Sequence, residues 1–182
     1  KVLSEILLQR TRAKSVAAIY NNFFQTFPSW KVIHNTPNYL LEKSLKPIGL
    51  QKRRSESIKK LAACMLAKSG RFPKDREDID KLPGVGQYVA NSIELFVHER
   101  PLPLLDVNMA RVLERFFGPR QLVDIRYDPY LQILSTEIVK ASENHVVINW
   151  GILDYAALVC KKNSPNCAEC SLSSKCHYLS KI

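Results

Sequence analysis

Apolar residues recur at intervals of three and four along most of this chain, and that periodicity limits its fold more than any other feature. The spacing runs from Leu3 to Phe27 and stops at Pro28, and it returns in later segments. Those segments are residues 55–68, 87–98, 107–117, 128–141 and 145–160. Shorter helices are indicated from Asn38 onward and over residues 75–82. Strict alternation, which would indicate a strand, is nowhere sustained, so the sequence predicts an all-α protein.

The stretch HERPLPLLD, which contains two prolines near residue 101, is the best internal boundary. We therefore expect one domain over residues 1–100 and a second over residues 101–182. No uninterrupted apolar run reaches the length of a membrane span. The N-terminus also lacks the pattern of a signal peptide. These features predict an intracellular protein with no membrane partner.

The chain carries a formal net charge of +10, which is an argument about partners rather than about fold. A basic field of this size attracts polyanions, and nucleic acid is the commonest of them. Charge alone leaves open a solvated basic surface that binds nothing in particular. It nevertheless makes nucleic acid the favoured partner.

The turn LPGVG, residues 82–86, joins a helix that ends near Leu82 to a helix that begins near Gln87. Gly84 and Gly86 leave the backbone uncovered and free to adopt open conformations. Amides exposed at a helix N-terminus bind anions, and in a basic protein that anion would be a nucleic-acid phosphate. A tight helix–helix turn with no ligand is the alternative that this turn alone leaves open.

Four of the five cysteines lie close together near the C-terminus, at Cys160, Cys167, Cys170 and Cys176. Cys64 stands apart on the apolar face of the 55–68 helix, and we predict that it packs in the core. A reduced compartment disfavours two disulfides, whereas four nearby thiolates can hold a metal. Zinc usually takes two well-separated Cys-x2-Cys pairs, while a [4Fe-4S] cluster accepts compact spacings. The spacing therefore favours iron–sulfur over zinc.

Three segments, taken together, resemble the helix-hairpin-helix DNA glycosylases of the HhH-GPD family, of which endonuclease III is the type. They are LPGVGQYVANSI, LLDVNMARVLERFFG and the four-cysteine block. The resemblance covers nearly the whole chain and implies a two-lobed, all-α fold with DNA in the cleft. It implies a helical barrel domain with the hairpin, and a second domain with the catalytic aspartate and a [4Fe-4S] cluster on the four cysteines. Family members also have an N-terminal segment that packs on the cluster lobe. Because this chain begins just ahead of Glu5, either that lobe is less covered or the sequence belongs to a longer protein.

Enzymes of this family flip a damaged or mispaired nucleotide out of the duplex to reach its glycosidic bond. The resemblance assigns the family's catalytic aspartate to Asp106. It precedes a helix starting near Val107, whose dipole favours an ionised carboxylate. That carboxylate would stabilise an oxocarbenium-like state or help to activate water. A plain N-cap is the structural alternative, and the two roles are compatible.

Position 88 separates the family's subclasses. Bifunctional relatives carry a lysine there, which forms a Schiff base with the sugar. This chain has Tyr88, so we expect hydrolysis without efficient strand cleavage; the tyrosine would contact the sugar or the flipped base, or pack the hairpin.

Glu5 matches a family glutamate that gives a proton to the departing base or orients a carbonyl. Such an acid needs a raised pKa, which burial beside Leu7 and Leu8 would supply; a solvated helix residue is the alternative.

Contacts with DNA follow from the same resemblance. Gln9 would fill the hole left by the flipped nucleotide, and Arg10 would read the orphaned guanine, unless it is only a surface residue near a helix end. The other expected DNA-binding residues are Leu82, Gly84, Val85, Gly86, Gln87, Lys161 and Lys162. We expect Lys52, Arg53 and Arg54 to meet either backbone phosphate or solvent.

Two subfamilies fit these features, and they remove different bases. The stretch PIGLQKRRSESI resembles the enzymes that remove thymine or uracil from mispairs with guanine. Adenine glycosylases, which act opposite guanine or 8-oxoguanine, tend to read GLGYY there and usually carry a further C-terminal domain. We therefore expect a monomeric, monofunctional thymine/uracil glycosylase that acts on double-stranded DNA. Adenine removal and a DNA-binding module without catalysis are the alternatives.

Overall fold

The structure is a computed structural model that describes residues 1–181. Ten α-helices and four short 3-10 segments form the regular structure of these residues, which contain no strand. The all-α prediction is confirmed. The helices are α1 (Val2–Leu8), α2 (Ala13–Thr26), α3 (Trp30–Asn35), α4 (Asn38–Leu45), α5 (Gln51–Ala67), α6 (Arg76–Asp80), α7 (Gln87–Val97), α8 (Val107–Phe117), α9 (Pro129–Lys140) and α10 (His145–Leu158). Within the described part of the chain, no helix combines the length and the apolar character that a membrane crossing requires.

The chain divides into two compact units, of which the first is Lys1–Ile93 and the second begins at Glu94. The division therefore falls within α7, ahead of the proline-rich stretch near residue 101. A boundary between functional domains at that stretch stays a prediction.

The first unit has one continuous apolar core. Helix α5 packs against α3 and α4, and α1, α2 and the first part of α7 contribute buried side chains to the same core. Its fully buried large residues include Leu7, Phe23, Leu41, Ile58 and Met65. Cys64 is half-buried and packs against this core, which confirms the prediction for it.

The helical pattern from Leu3 to Phe27 is interrupted in the structure. Helix α1 ends at Leu8 and α2 begins at Ala13, and Arg10 between them has a positive φ of 57°. A left-handed backbone at a non-glycine residue breaks a helix and needs support from neighbouring groups. The support comes from Arg54 of α5, which donates to the Gln9 carbonyl directly before Arg10. Helix α3, which the sequence pattern did not indicate, begins at Ser29, whose hydroxyl accepts a hydrogen bond from the Val32 amide.

The second unit packs α8 against α9 and α10 around Met109, Leu113 and Leu131. Asp128 caps α9 and accepts backbone hydrogen bonds from Leu122, Leu131 and Gln121. The pKa of Asp128 lies below its usual range because these amides donate to its carboxylate, and the Leu122 amide has the largest effect. Between α10 and residue 181 the regular structure consists of short 3-10 segments, and no side chain of residues 157–180 is buried.

Candidate active site

The glycine turn before α7 is held in a geometry that only glycine fits at one position. Gly84 has φ +75°, and a Cβ built on it would lie 2.0 Å from the Ser57 Oγ. The turn is closed by a hydrogen bond from the Val85 amide to the Leu82 carbonyl, at 3.1 Å. Gly86, by contrast, has open space around it. The sequence therefore places a close helix–turn contact at Gly84 and an uncovered backbone at Gly86.

The amides of this turn are available to an anion. Both glycines are exposed, and within residues 1–181 neither the Gly84 nor the Gly86 amide donates to an acceptor. Helix α7 starts at the next residue, Gln87, which is half-buried. Val85 is also half-buried, whereas the Leu82 side chain belongs to the core. Leu82 can thus meet a ligand only through its backbone.

Glu5 and Tyr88 come together in the first unit. The Tyr88 hydroxyl donates a hydrogen bond to the Glu5 Oε2 at 2.9 Å. Glu5 is only 8% exposed, although it lies in the first turn of α1. Tyr88 is half-buried and packs against the core through its ring. A buried carboxyl group with a phenol donor is held in one orientation, which a solvated helix residue would lack.

Asp106 belongs to the second unit, where it is the N-cap of α8. Its Oδ1 accepts the amides of Asn108 and Met109, each at 2.8 Å, and its Oδ2 accepts the Asn108 side-chain amide at 2.6 Å. The side chain is half-buried. Three N–H groups and the positive end of an eleven-residue helix fix the carboxylate in place. The carboxylate therefore caps the helix through both of its oxygens.

A chain of hydrogen bonds runs from Asp106 to the first cysteine. Asn108, which donates to Asp106, accepts a hydrogen bond from Arg111 Nη1 at 3.0 Å. The same guanidinium donates to the carbonyls of Ala156 and Cys160, both at 2.9 Å. One arginine of α8 therefore connects the carboxylate to the end of α10 and to the start of the cysteine segment.

The four clustered cysteines line one pocket of the second unit, with about 280 Å³ of empty space that includes open solvent. All are free thiols. Among the residues described, no three His, Cys, Asp or Glu side chains are arranged to hold a single metal ion. Four cysteine sulfurs around one pocket are the donor set that a [4Fe-4S] cluster takes.

Arg115 anchors the two lysines that follow Cys160. Its Nη1 donates to the Lys161 carbonyl at 2.7 Å and to the Cys160 Sγ at 3.5 Å, and its Nη2 donates to the Lys162 carbonyl at 3.0 Å. The Tyr178 ring stacks on the same guanidinium at 4.9 Å. Both lysine side chains are exposed. Their backbone is fixed while their charges remain available to phosphate.

Arg54 corrects one of the expectations from the sequence. Lys52 and Arg53 are exposed, but Arg54 is only 7% exposed and meets neither phosphate nor solvent. It donates to carbonyls of the segment that ends α1, and so explains why the helix stops there. That segment carries Gln9, which is half-buried, and Arg10, which is exposed. Both residues are therefore at least partly accessible to solvent.

Several site residues were missed from sequence. Asn108, Arg111 and Arg115 lie on α8 at spacings of three and four from one another, and that spacing on the helix of the candidate aspartate was the available signal. The sequence also did not indicate the left-handed backbone of Leu50. This residue is 49% exposed with φ 52° directly before α5. Its only signal was the preceding glycine.

Comparison with known proteins gives a consistent result. Residues 3–125 match the family described as HhH-GPD superfamily base excision DNA repair protein. A thymine/uracil-DNA glycosylase of Methanothermobacter thermautotrophicus is 32% identical over 99% of this chain and 81% of its own length. A thymine-DNA glycosylase of Aeropyrum pernix is 32% identical over 97% and 81%. A solved thermostable thymine-DNA glycosylase superposes with a TM-score of 0.90 at 31% identity, over 100% of this chain and 83% of that one. The chain therefore belongs to the HhH-GPD superfamily of base excision DNA repair proteins.

Proposed function

We propose that this protein is a DNA glycosylase that hydrolyses the N-glycosidic bond of thymine or uracil mispaired with guanine in duplex DNA. The observation that carries the proposal is the hydrogen bond between Tyr88 and Glu5. It puts a phenol, not an amine, beside a buried carboxyl group, so no Schiff base can form at position 88. The similarity to thymine and thymine/uracil glycosylases over nearly the whole chain supports the same choice of base.

The reaction asks little covalent chemistry of the protein. The bond between C1′ and the base breaks, water adds its oxygen to C1′, and the base leaves with a proton. Asp106 acts on the sugar, where its fixed carboxylate stabilises the positive charge that develops as the bond breaks. Three N–H groups hold this carboxylate before substrate arrives. Little reorganisation is then needed in the transition state.

Glu5 acts on the base. A buried carboxyl group can donate a proton to a pyrimidine carbonyl or hold that carbonyl in position. Tyr88 fixes the orientation of the carboxyl group through its hydroxyl hydrogen bond. The pair therefore controls the leaving group, whereas Asp106 controls the sugar.

Duplex DNA is gripped at several points. The free amides of Gly84 and Gly86 bind one phosphate at the start of α7, and the exposed Lys161 and Lys162 bind others. Gln9 fills the place of the flipped nucleotide, and Arg10 donates paired hydrogen bonds to the orphaned guanine. The protein acts as a monomer, and its DNA substrate implies an intracellular location.

Four residues, Cys160, Cys167, Cys170 and Cys176, would hold a [4Fe-4S] cluster. Bound there, the cluster would supply structural order to a segment that has no buried side chain of its own. The backbone carbonyls that Arg111 and Arg115 bind belong to this segment. These two arginines would therefore hold Lys161, Lys162 and Asp106 in fixed positions relative to the cysteine segment.

Adenine opposite guanine or 8-oxoguanine is the second candidate substrate. A buried glutamate paired with a tyrosine also suits the protonation of a departing adenine. The two candidates differ in which base appears as product, so one assay decides between them.

The test is a single-turnover panel of duplexes that contain G:T, G:U, A:G and A:8-oxoguanine. We expect release of thymine and uracil from the first two, without strand cleavage and without a borohydride-trapped adduct. Asp106→Asn should reduce release by roughly 10²-fold or more, since it removes charge at the reacting centre. Release of adenine alone would replace the proposal with the second candidate. Salt-sensitive binding of duplex without release of any base would leave a DNA-binding module.

A further inference from the structure

All five N–H groups of the Arg54 guanidinium donate hydrogen bonds within the first unit. Four go to backbone carbonyls and one goes to a hydroxyl. Its Nη1 donates to the carbonyls of Ile6 and Leu7, at 3.2 and 2.9 Å, and its Nε donates to the Gly49 carbonyl at 3.1 Å. Its Nη2 donates to the Gln9 carbonyl at 2.6 Å and to the Thr11 hydroxyl. An arginine offers five donors in a fixed fork, so this set saturates it.

Two of these acceptors, the Ile6 and Leu7 carbonyls, belong to the last turn of α1. The last carbonyls of a helix have no partner within it, and α1 ends at Leu8. Arg54 reaches them from the first turn of α5 and brings a positive charge to the negative end of the helix dipole. It makes no ion pair within the described residues. Burial lowers its pKa from the usual value. The side-chain partners of the guanidinium in the described residues are the four carbonyls and the Thr11 hydroxyl.

Two strained residues lie on either side of this guanidinium. Arg10 follows the Gln9 carbonyl and has φ 57°, and Leu50 follows the Gly49 carbonyl and has φ 52°. Both side chains are exposed, Leu50 by 49%. Non-glycine residues adopt this backbone only where the surroundings impose it, and they concentrate at functional sites. Arg54 holds the carbonyl immediately before each of them.

We propose that Arg54 is a positioning residue that fixes Arg10 for recognition of the base opposite the excised nucleotide. This inference rests on the proposed function, in which Arg10 reads the orphaned guanine. A guanine contact needs two donors in one plane at a fixed distance. The left-handed backbone at Arg10 sets the direction of its side chain. Because Arg54 supports that backbone without touching DNA, it acts on selectivity through Arg10.

The test measures binding, so it does not depend on base release. The probes are duplexes with a tetrahydrofuran abasic-site analogue opposite each of the four bases. We expect the parent chain to bind most tightly when guanine is opposite. Arg54→Lys keeps a cation but loses the fork, and should reduce the ratio of the Kd opposite adenine to the Kd opposite guanine by roughly tenfold. Arg10→Ala should reduce it equally.

A double-mutant cycle separates positioning from mere stability. If Arg54 acts through Arg10, Arg54→Lys changes the ratio no further in the Arg10→Ala background. A purely structural role would weaken binding to all four duplexes together and leave the ratio as in the parent. Arg71→Lys replaces an exposed arginine of the same unit and should leave both the ratio and the melting temperature unchanged.

Defined outcomes overturn the inference. An unchanged ratio in folded Arg54→Lys, a further fall in the double variant, or a parent without preference for guanine would each do so. Should Arg54→Lys fail to fold, Thr11→Val decides in its place. Thr11 accepts from Arg54 and donates to the Gln9 carbonyl at 3.3 Å. Its loss should lower the ratio in the same direction, and an unchanged ratio would overturn the proposal. Failure of the proposed function appears separately, as absence of base release by the parent.

Discussion

In the first unit, two exposed loops are tied to a single buried guanidinium, whereas in the second unit the segment after α10 is tied to two half-buried arginines and to sulfur atoms. Arg54 is 7% exposed and lies at the edge of a continuous core. Arg111 and Arg115 are half-buried, and no side chain of residues 157–180 is buried. The first unit thus stabilises its loops with its own core, while the last segment of the second unit has hydrogen bonds and side chains that are at most half-buried.

The two units therefore differ in what stabilises their loops and segments. Apolar burial contributes roughly 25 cal/mol for each Å² removed from water, and a segment without buried side chains gains little of it. Fixing its backbone costs about 1–2 kcal/mol per residue. Hydrogen bonds from two arginines do not offset that cost alone. A group bound by the four cysteines, which line one pocket, would supply the remainder.

The largest expected effect comes from removing one of those cysteines. Cys167→Ser should abolish iron binding, because the oxygen of serine is a poor substitute for a thiolate. Amide exchange in residues 159–180 should then approach that of an unfolded chain, while α5 and the first part of α7, which belong to the first unit, exchange as in the parent. Iron analysis and hydrogen exchange measured by mass spectrometry check both statements.

Cys64→Ala is the matched control, since Cys64 is a free thiol of the first unit that packs on the core. It should leave iron content unchanged and lower the free energy of unfolding by about 1 kcal/mol or less. Equal loss of protection in both units of Cys167→Ser would contradict the comparison. So would full retention of iron.

The next largest effect is a loss of base-release rate, which should occur on substitution of Arg111 but not of Arg115, the other arginine of α8 that binds the cysteine segment. Arg111→Gln removes the support of Asn108, which donates to Asp106, and should slow base release by roughly 10²-fold, the effect of a small misplacement of a reacting group. Iron content and DNA affinity should remain near those of the parent. Single-turnover rates at saturating enzyme check the rate, and a binding titration checks the affinity.

Arg115→Gln serves as its partner variant. Arg115 holds the backbone of Lys161 and Lys162 but makes no hydrogen bond to Asn108 or Asp106. Its loss should weaken DNA binding, with a smaller salt dependence, and leave the rate at saturation close to that of the parent. Similar losses of rate in both variants would show that the hydrogen-bond chain to Asp106 has no separate role.

Much of this molecule follows from local sequence, and the remainder depends on contacts between distant residues. The helix beginning at Val107 and its cap at Asp106 are both local features, and both are present. The pairing of Tyr88 with Glu5 joins positions 83 residues apart, so no sequence window contains it. The burial of Glu5 follows from the same packing. Helix periodicity can place such residues on a face but cannot name their partner.

Arg54 shows why the basic run was misread. It follows Lys52 and Arg53, and three consecutive cations on a helix normally indicate a solvated face. Successive helical residues point about 100° apart, so one of the three can face inward. Whether it does depends on acceptors elsewhere, here the free carbonyls at the end of α1. The interruption of the Leu3–Phe27 pattern has the same cause, since QRT contains neither glycine nor proline.

The smallest expected effect concerns the glycine turn of the first unit, where backbone geometry rather than an arginine fixes the loop. Gly84→Ala must place a Cβ at φ +75° and 2.0 Å from the Ser57 Oγ. We expect it to lower the free energy of unfolding by about 1–3 kcal/mol, the range for a residue forced into this backbone. Gly86→Ala meets open space without a positive φ and should unfold like the parent. Urea denaturation measures both.

Adding Ser57→Ala to Gly84→Ala removes the clash but not the backbone strain, so part of the loss should persist. If both glycine variants are equally stable, the turn is not held against α5. The conclusion that the first unit fixes its loops by its own packing would then be wrong for this turn.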